Sequence, residues 1–506
     1  MKTKAYKPEN SLLDSYRLLE PTVKKVLRHV FSILITVALA NNQVALAQFD
    51  PTLAERLQAA LDSSMRANNI IGASAAVIVP NQGTWLGTSG YSVPATSDTI
   101  RSDMLFAIGS ITKTYTAAMI LKLAEDGVLS LDDSLHRWLP SFQHVDSTIT
   151  IRQLLQHTSG IYNYTQHPGF GNANFADLTR VWSPEEILTN LLNPPNFPPG
   201  TSLRYSNTNF ILAGMIIKEA TGAGVSTALH SRFLDPQNLN HTFLEVEDSL
   251  SGELVHYWLD LNNDGNLDDS YSLPRTSIYS LAWSAGAMFA TAEDVARWAG
   301  LLYSGQFFSQ TYLDEMLSFY PIPDPVVTGY GLGTLRISYR GKTFWGHDGG
   351  IFGFTSLLAY LPEDAASFVV LLNQNKNVFS VTAALVDAYL DYSPTGVADS
   401  DPALAREFAL HQNYPNPFNP ETAISYQLPV FSEVQLTIFN ALGQEVRTLA
   451  NSRQSPGLKS FVWDGKNDLG QPVNSGIYFY TVKTGERVQT KKMVLVRNKV
   501  IWPSSQ

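Results

Sequence analysis

The chain has 506 residues, too many for one ordinary core and enough for two folded domains with further segments at the ends. Its formal net charge is -10 with 44% hydrophobic and 16% charged residues, and no Lys/Arg cluster offsets the acidity; this excludes a nucleic-acid-binding surface. There are no cysteines, which removes disulfides, thiol catalysis, cysteine-ligated zinc and a lipidated-cysteine anchor together.

Near the start, Lys24, Lys25 and Arg28 precede the apolar run Val30–Ala40, and Ala45-Leu46-Ala47 follows just before Gln48. A basic flank, a short apolar core and a small-residue cleavage site are the order of a secretory signal. The run is too short to cross a hydrocarbon layer of ~30 Å, so no stable transmembrane span is expected after cleavage. Residues 1–47 are therefore read as an N-terminal extension and signal peptide.

From about residue 50 to 391, strand and helix patterns alternate. Ala73–Val79 reads as a strand, and Ser110–Asp126 as a helix closed by Gly127. Asn209–Ala220 is a second helix with Gly222 just past its end. The stretch Ser284–Gly300 contains Thr291-Ala-Glu-Asp294, a helix start followed by Val295 and Trp298. Leu357–Leu361 and Ala366–Leu372 read as paired strands. A linker rich in breakers and acidic residues follows over 392–404. Beyond it, Val434–Phe439, Lys459–Trp463, Ile477–Val482 and Met493–Arg497 alternate as short strands, with turns such as Asp464-Gly465 and Ser475-Gly476 between them. That spacing predicts a β-sandwich over residues 405–506.

Ser110 and Lys113 lie three residues apart at a helix start, so both side chains share a face and the amine reaches the hydroxyl. A serine hydroxyl needs such a neighbour to become nucleophilic at neutral pH. This is the only Ser-x-x-Lys in the chain. Tyr205-Ser-Asn207 and His347-Asp-Gly349 follow in order. Taken singly, Ser110 reads as a helix cap, Lys113 as a solvated side chain and Tyr205 and Asn207 as turn residues; the ordered set points to chemistry. Ser-x-x-Lys, Tyr-x-Asn and His-x-Gly in this order resemble the serine β-lactamase-related hydrolases, the group of class C β-lactamases, D-Ala-D-Ala carboxypeptidases and related esterases. Leu129-Ser-Leu-Asp-Asp133, Leu154-Leu-Gln-His-Thr-Ser-Gly160 and Thr291-Ala-Glu-Asp294 agree with it, and the resemblance covers nearly all of residues 50–391.

The resemblance implies an α/β (α+β) β-lactamase/transpeptidase-like domain, with an antiparallel sheet flanked by helices and a helical lobe. It implies that Ser110 attacks a carbonyl to form an acyl-enzyme, and that Lys113 and Tyr205 move protons, either one serving as the base. It further implies substrate binding by Asn207, His347, Gly349 and Gly350, with the backbone N–H groups of Ser110 and Gly350 as the oxyanion hole. His347 stands where other members carry lysine, which weakens the case for a dedicated β-lactamase. Expected substrates are D-amino-acid peptides, small esters and β-lactams; the rival expectation is a penicillin-binding-like sensor or surface binding module with little turnover. No cofactor is required. His157 reads as a loop-ordering residue.

Two further features stand apart. Asp260, Asn262, Asp264 and Asp268, with Gly265 sixth in the run, have the ligand spacing of a calcium loop, but Tyr271 occupies the place of the bidentate glutamate. The loop is thus either a structural Ca²⁺ site or a solvated Asx-rich turn. Leu410-His-Gln-Asn-Tyr-Pro-Asn-Pro-Phe-Asn-Pro-Glu-Thr422 resembles the opening of the type A C-terminal sorting domain of the type IX secretion system, and Ala441–Val446, Ser475–Tyr478 and Lys492–Val496 match its later strands. That resemblance implies an Ig-like β-sandwich, the secretion machinery as a partner, and a secreted or cell-surface location.

Overall fold

A computed structural model describes residues 49–392, apart from 81 and 263, and residues 408–496 apart from short stretches among them. The proposed signal peptide and almost all of the linker lie outside the described residues.

The strand Gly72–Val79 is central to the first unit, because it pairs with the hairpin partner that follows it and with the unit's last strand. Ala75 faces Gly87 on one side and Val370 on the other, so the two ends of the domain meet within one sheet. The whole sheet has nine strands, in the order Asp98–Thr99, Gly83–Val93, Gly72–Val79, Ala366–Leu372, Phe354–Leu361, Lys342–Ile351, Leu335–Tyr339, Val327–Tyr330 and Tyr320–Pro321. Every neighbouring pair is antiparallel.

Both faces of the sheet are covered, and the two-residue period of its strands sorts their side chains between two cores. Leu357, Ala359, Phe368 and Val370 join the core beneath the helices Pro51–Ala67 and Val378–Leu390. Leu358, Tyr360, Val369 and Leu371 join the core on the other face. The first helix presents Leu53, Leu57 and Leu61, one per turn, and Asp50 caps it by accepting from the N–H groups of Thr52 and Leu53.

On the opposite face, Ala292–Tyr303 packs Val295, Trp298 and Leu302 inward, and beyond it lies a helical lobe. Thr112–Glu125 is buried on nearly every side, which explains its weak amphipathic pattern. Asn207–Thr221 packs beside it and ends on Gly222, whose φ of 67° supplies the left-handed residue of the helix stop. The stretch read as starting at Ser284 divides differently: Ser284 belongs to a preceding helix, Thr276–Gly286, and the short strand Met288–Ala290 intervenes before Thr291 caps the next helix. Trp283, inside the first of these, adopts φ 32° and ψ -126° and breaks the helical run just ahead of Ser284.

The second unit is a sandwich of two antiparallel sheets. One contains Ala409–Leu410, Thr422–Leu428 and Gly457–Trp463; the other orders Glu445–Gln454, Ser432–Asn440, Gly476–Thr484 and Arg487–Leu495. Ile424, Leu436, Ile438, Trp463, Tyr480 and Met493 fill the space between them. The opening phrase of the domain is tied into that core: Asn413 receives no exposure to speak of, donates its backbone N–H to the Tyr480 hydroxyl at 2.8 Å and its side-chain amide to Thr422 at 2.9 Å. The last strand begins at Arg487 and ends at Leu495, earlier at both ends than its apolar residues suggest, because its exposed half is polar.

Among the described residues no helix is long and apolar enough to cross a membrane.

Candidate active site

Ser110 sits in a 3-10 turn, Gly109–Ile111, that runs directly into the helix Thr112–Glu125. Gly109 takes φ 51°, and a Cβ there would lie 2.7 Å from the Gly350 nitrogen. Only glycine allows both that conformation and that approach. The turn is thereby laid against the strand Lys342–Ile351, and Ser356 locks the contact by donating to the Ile108 carbonyl at 2.8 Å. Gly349 packs on the same carbonyl, where any side chain would clash, whereas Gly350 opens onto the cavity in front of Ser110.

The Lys113 Nζ lies 3.0 Å from Ser110 Oγ, 2.8 Å from Asn207 Oδ1 and 2.6 Å from the Ala285 carbonyl. The side chain is wholly buried, and burial pushes its pKa well below the usual lysine range; the Asp348 carboxylate opposes that effect weakly. When the amine is neutral, Asn207 Oδ1 and Ala285 O take its two N–H bonds and its lone pair faces Ser110; when it is charged, the third N–H donates to Ser110 Oγ. Tyr205 completes the group, its hydroxyl donating to Ser110 Oγ at 2.7 Å. Burial raises the Tyr205 pKa far above the normal phenol range, so it holds its proton as a donor.

The loop carrying Tyr205 and Asn207 is pinned from behind. His157, buried and at φ 61°, accepts through Nδ1 from the Asn209 amide at 3.0 Å and from the Ser206 N–H at 3.3 Å. Its ring packs 4.4 Å from that of Tyr205. Burial lowers its pKa well below the histidine norm, consistent with a neutral ring whose Nδ1 is an acceptor. Asn163 accepts the Asn207 N–H at 3.1 Å.

His347 lies on the strand Lys342–Ile351, which also carries Gly350. It is brought beside Tyr205, with ring centroids 6.2 Å apart, but it is buried and does not line the cavity. Its Nε2 pairs with the Tyr330 hydroxyl at 3.0 Å and its Nδ1 with the Asp348 carbonyl at 2.6 Å. Burial pushes its pKa down to about 4. In this arrangement both ring nitrogens are engaged within the protein.

The cavity itself has a volume of about 790 Å³ and is lined by Ser110, Asn207 and Gly350 on its chemical side. The acidic insert forms part of its far wall through Leu259, Asp260 and Leu261. In that insert Asp260 accepts from the N–H groups of Asp264 and Gly265, both at 3.0 Å, and Asp264 accepts from Asn266 at 2.7 Å. Asn262 also accepts from Asp264, and Asp268 accepts from Leu261. Among the described residues, no group of three or more His, Asp or Glu is arranged to hold a metal ion. As folded, the insert is a set of Asx turns satisfied by its own backbone.

Sequence reasoning had no access to Ala285 or Asn163. Ala285 contributes only a carbonyl, aimed by the break at Trp283; the indole there donates to Glu247 at 2.7 Å. Such a role leaves no trace in side-chain type.

A serine–lysine–tyrosine cluster with its lysine wholly buried, on a helical lobe beside an antiparallel sheet, defines a serine hydrolase. More narrowly, the family model described as Beta-lactamase matches residues 57–390, and the chain belongs to that family. A second model, FlgD Ig-like domain, matches residues 418–487. Penicillin-binding protein 4* of Bacillus subtilis (strain 168) is 25% identical over 299 residues, 57% of this chain and 65% of that protein. Penicillin-binding protein 4 of Amycolatopsis lactamdurans is 28% identical over 337 residues, 62% of this chain and 84% of that protein. The chain thus spans slightly under two thirds of the first of these relatives. Among solved structures, a D-stereospecific amidohydrolase from Streptomyces sp. superposes with a TM-score of 0.59 at 30% identity, covering 66% of this chain and 97% of that one. D-amino acid amidase from Ochrobactrum anthropi SV3 superposes with a TM-score of 0.61 at 26% identity, covering 67% and 99%.

Proposed function

We propose that this protein hydrolyses amide or ester bonds of D-amino-acid derivatives through an acyl-enzyme on Ser110. The observation that carries the reading is the Lys113 amine: wholly buried, its pKa pushed well down by that burial, and held by Asn207 Oδ1 and Ala285 O with Nζ 3.0 Å from Ser110 Oγ. That geometry favours Lys113 over Tyr205 as the base. The Ser110 proton passes to Lys113 Nζ as Oγ bonds to the substrate carbonyl carbon. The carbonyl oxygen becomes an oxyanion beside the backbone N–H groups of Ser110 and Gly350, an arrangement in which losing one donor typically costs ~3–4 kcal/mol. As the tetrahedral intermediate collapses, Tyr205 hands its proton to the leaving amine or alkoxide and is reprotonated from Lys113. Water then repeats the sequence against the acyl-enzyme and frees Ser110.

The D-configuration rests on the named likeness to D-amino acid amidase and to the D-stereospecific amidohydrolase, and no step passes through a metal ion. The purified chain should release ammonia from D-phenylalanine amide and p-nitrophenol from small esters, with the L-amide and a chromogenic cephalosporin cleaved more slowly. Stoichiometric acylation without turnover would overturn this in favour of a sensor.

The same proposal gives the C-terminal sandwich an export role. Its support is the match of residues 410–422 and the later strand phrases to sorting domains of type IX secretion, together with the signal-like segment before Gln48. A reporter fused to residues 405–506 should leave a host that carries that machinery, and retention of the reporter in the periplasm would refute the role.

A further inference from the structure

The C-terminal sandwich carries one five-residue turn twice. Asn440-Ala-Leu-Gly-Gln444 joins Ser432–Asn440 to Glu445–Gln454, and Asn467-Asp-Leu-Gly-Gln471 follows Gly457–Trp463. In the first, Asn440 Oδ1 accepts from the N–H groups of Leu442 and Gln444 at 2.9 and 3.0 Å. In the second, Asn467 Oδ1 accepts from those of Leu469 and Gln471 at 3.1 and 2.9 Å. Each asparagine N–H donates to its glutamine carbonyl at 2.9 Å, and the glycines match, with φ 77° at Gly443 and 73° at Gly470. The asparagines thus brace both loops. Each loop presents its leucine to solvent, 83% exposed at Leu442 and 81% at Leu469, and neither side chain joins the core between the sheets.

Both turns lie at one end of the sandwich. The Asp468 N–H donates to the Val446 carbonyl at 3.1 Å and its carboxylate accepts from the Thr448 N–H at 3.3 Å, which lays the second turn beside the strand leaving the first. Six large apolar side chains are exposed among the described residues of the sandwich. Besides the two leucines, Val462, Ile477 and Val496 stand at this same end, where Thr422 pairs with Trp463, Asn440 with Tyr478 and Gly476 with Leu495. Only Val488 lies toward the other end, beside Lys483. The chain enters the sandwich at that other end: Ala409 pairs with Gln427, and the Phe408 carbonyl accepts from Gln489. Exposed apolar surface is therefore gathered at the end away from the point of entry, which is the distribution of a contact surface.

Charge decides between occupants. The charges nearest the leucines are acidic: Asp468 directly precedes Leu469, Glu445 directly follows the first turn, and neither pairs with a cation among the described residues. The cations at this end, Arg447 and Lys466, are drawn onto Asp464 at 2.5 and 3.0 Å. An anionic lipid surface, or a second copy of the same end, would meet Glu445 and Asp468 with like charge. We infer that this end of the sandwich is a docking surface for a protein partner, one that offers an apolar floor to Leu442 and Leu469 and a basic rim to Glu445 and Asp468. Braced turns lose little freedom on docking, so the leucines supply affinity while the acidic shoulders select the partner's charge. The inference deepens the export role proposed above by naming the surface through which the sandwich is recognised, and it rests on that role for where the partner is found.

The test uses the full-length protein in a host that carries the type IX machinery. The unmutated chain and Val488→Asn should be exported equally. Leu442→Asn combined with Leu469→Asn should leave about tenfold or more protein in the periplasm, and Glu445→Lys about threefold more. All of these variants should keep the melting temperature and the hydrolase activity of the unmutated protein, since none of the side chains lies in a core or at Ser110. In the same cells, a photo-cross-linking residue at position 442 or 469 should form an adduct with one and the same protein, lost on adding Glu445→Lys, and one at position 488 should form none. Equal export of the double leucine variant would overturn the inference. So would leucine-dependent sedimentation of the purified protein with phosphatidylglycerol vesicles, or a leucine-dependent dimer. If the unmutated chain itself stays in the periplasm, the export role fails; the docking surface then stands on the shared, charge-sensitive adduct and falls without it.

Discussion

At the scale of single residues, the chemistry turns on which groups keep their protons. Lys113 works only as a neutral amine, so kcat/KM should fall as pH drops through its lowered pKa, and the acid limb should lie well below the ordinary lysine range. Lys113→Arg, a permanent cation, should lose about a thousandfold or more in kcat, and Tyr205→Phe about a hundredfold or more, since general acid–base groups contribute on that order. Histidine burial has a separate, structural consequence. His347 in the folded protein takes up a proton only below about 4, whereas in the unfolded chain it does so near ~6.5. Between those values the unfolded state binds more protons, so stability should fall as pH is lowered from roughly 6.5 towards 4. Melting temperatures across that window should decline in the native protein and less steeply in His347→Gln; an equal slope in both would show that His347 is not buried as a neutral ring.

At the scale of elements, the site depends on two backbone features. Gly109→Ala should cost stability of roughly 1–3 kcal/mol for the forced left-handed residue and should reduce kcat disproportionately, because the added methyl pushes the nucleophile turn off Gly350. Trp283 is strained and held by Glu247, and the chain beyond it delivers the Ala285 carbonyl to Lys113. Glu247→Ala should therefore lower kcat more than it raises KM and shift the acid limb, at a stability cost of about 1 kcal/mol. A shift in KM alone would place Glu247 outside this linkage. Spacing made Ser110 and Lys113 legible, because an amine one helical turn on reaches the hydroxyl, and Tyr205 and Asn207 were legible only through the resemblance that the ordered motifs carry. The break at Trp283 was hidden, since the sequence there is apolar and helical in pattern while tertiary packing alone imposes the kink. The partners of His347 were hidden for a related reason: a strand position shows which face a residue occupies, not which neighbour caps it. The insert at Asp260 showed its acidic spacing plainly. A clear rise in melting temperature in millimolar Ca²⁺ would favour the calcium reading, and an unchanged value the solvated Asx-rich turn.

At the scale of the whole molecule, two units were legible as a change in rhythm. Mixed strand and helix periods run to Asp391, and short alternating strands begin after the breaker-rich linker. The order of nine strands was not legible, because pairing between Gly72–Val79 and Ala366–Leu372 joins segments almost three hundred residues apart, and no local pattern encodes that distance. All the residues assigned to chemistry lie before the linker, so a chain ending near Pro402 should retain the hydrolase activity of the full protein within about twofold. The central claim is that Ser110, activated by Lys113, forms the acyl-enzyme. Rapid quenching of the full-length protein with an activated D-phenylalanyl ester, followed by peptide mass mapping, tests it most directly. The expected result is one acyl group on Ser110, absent in Ser110→Ala, which should also lose at least about 10⁴-fold in kcat. An adduct on another residue, or a Ser110→Ala protein that still turns over, would contradict it.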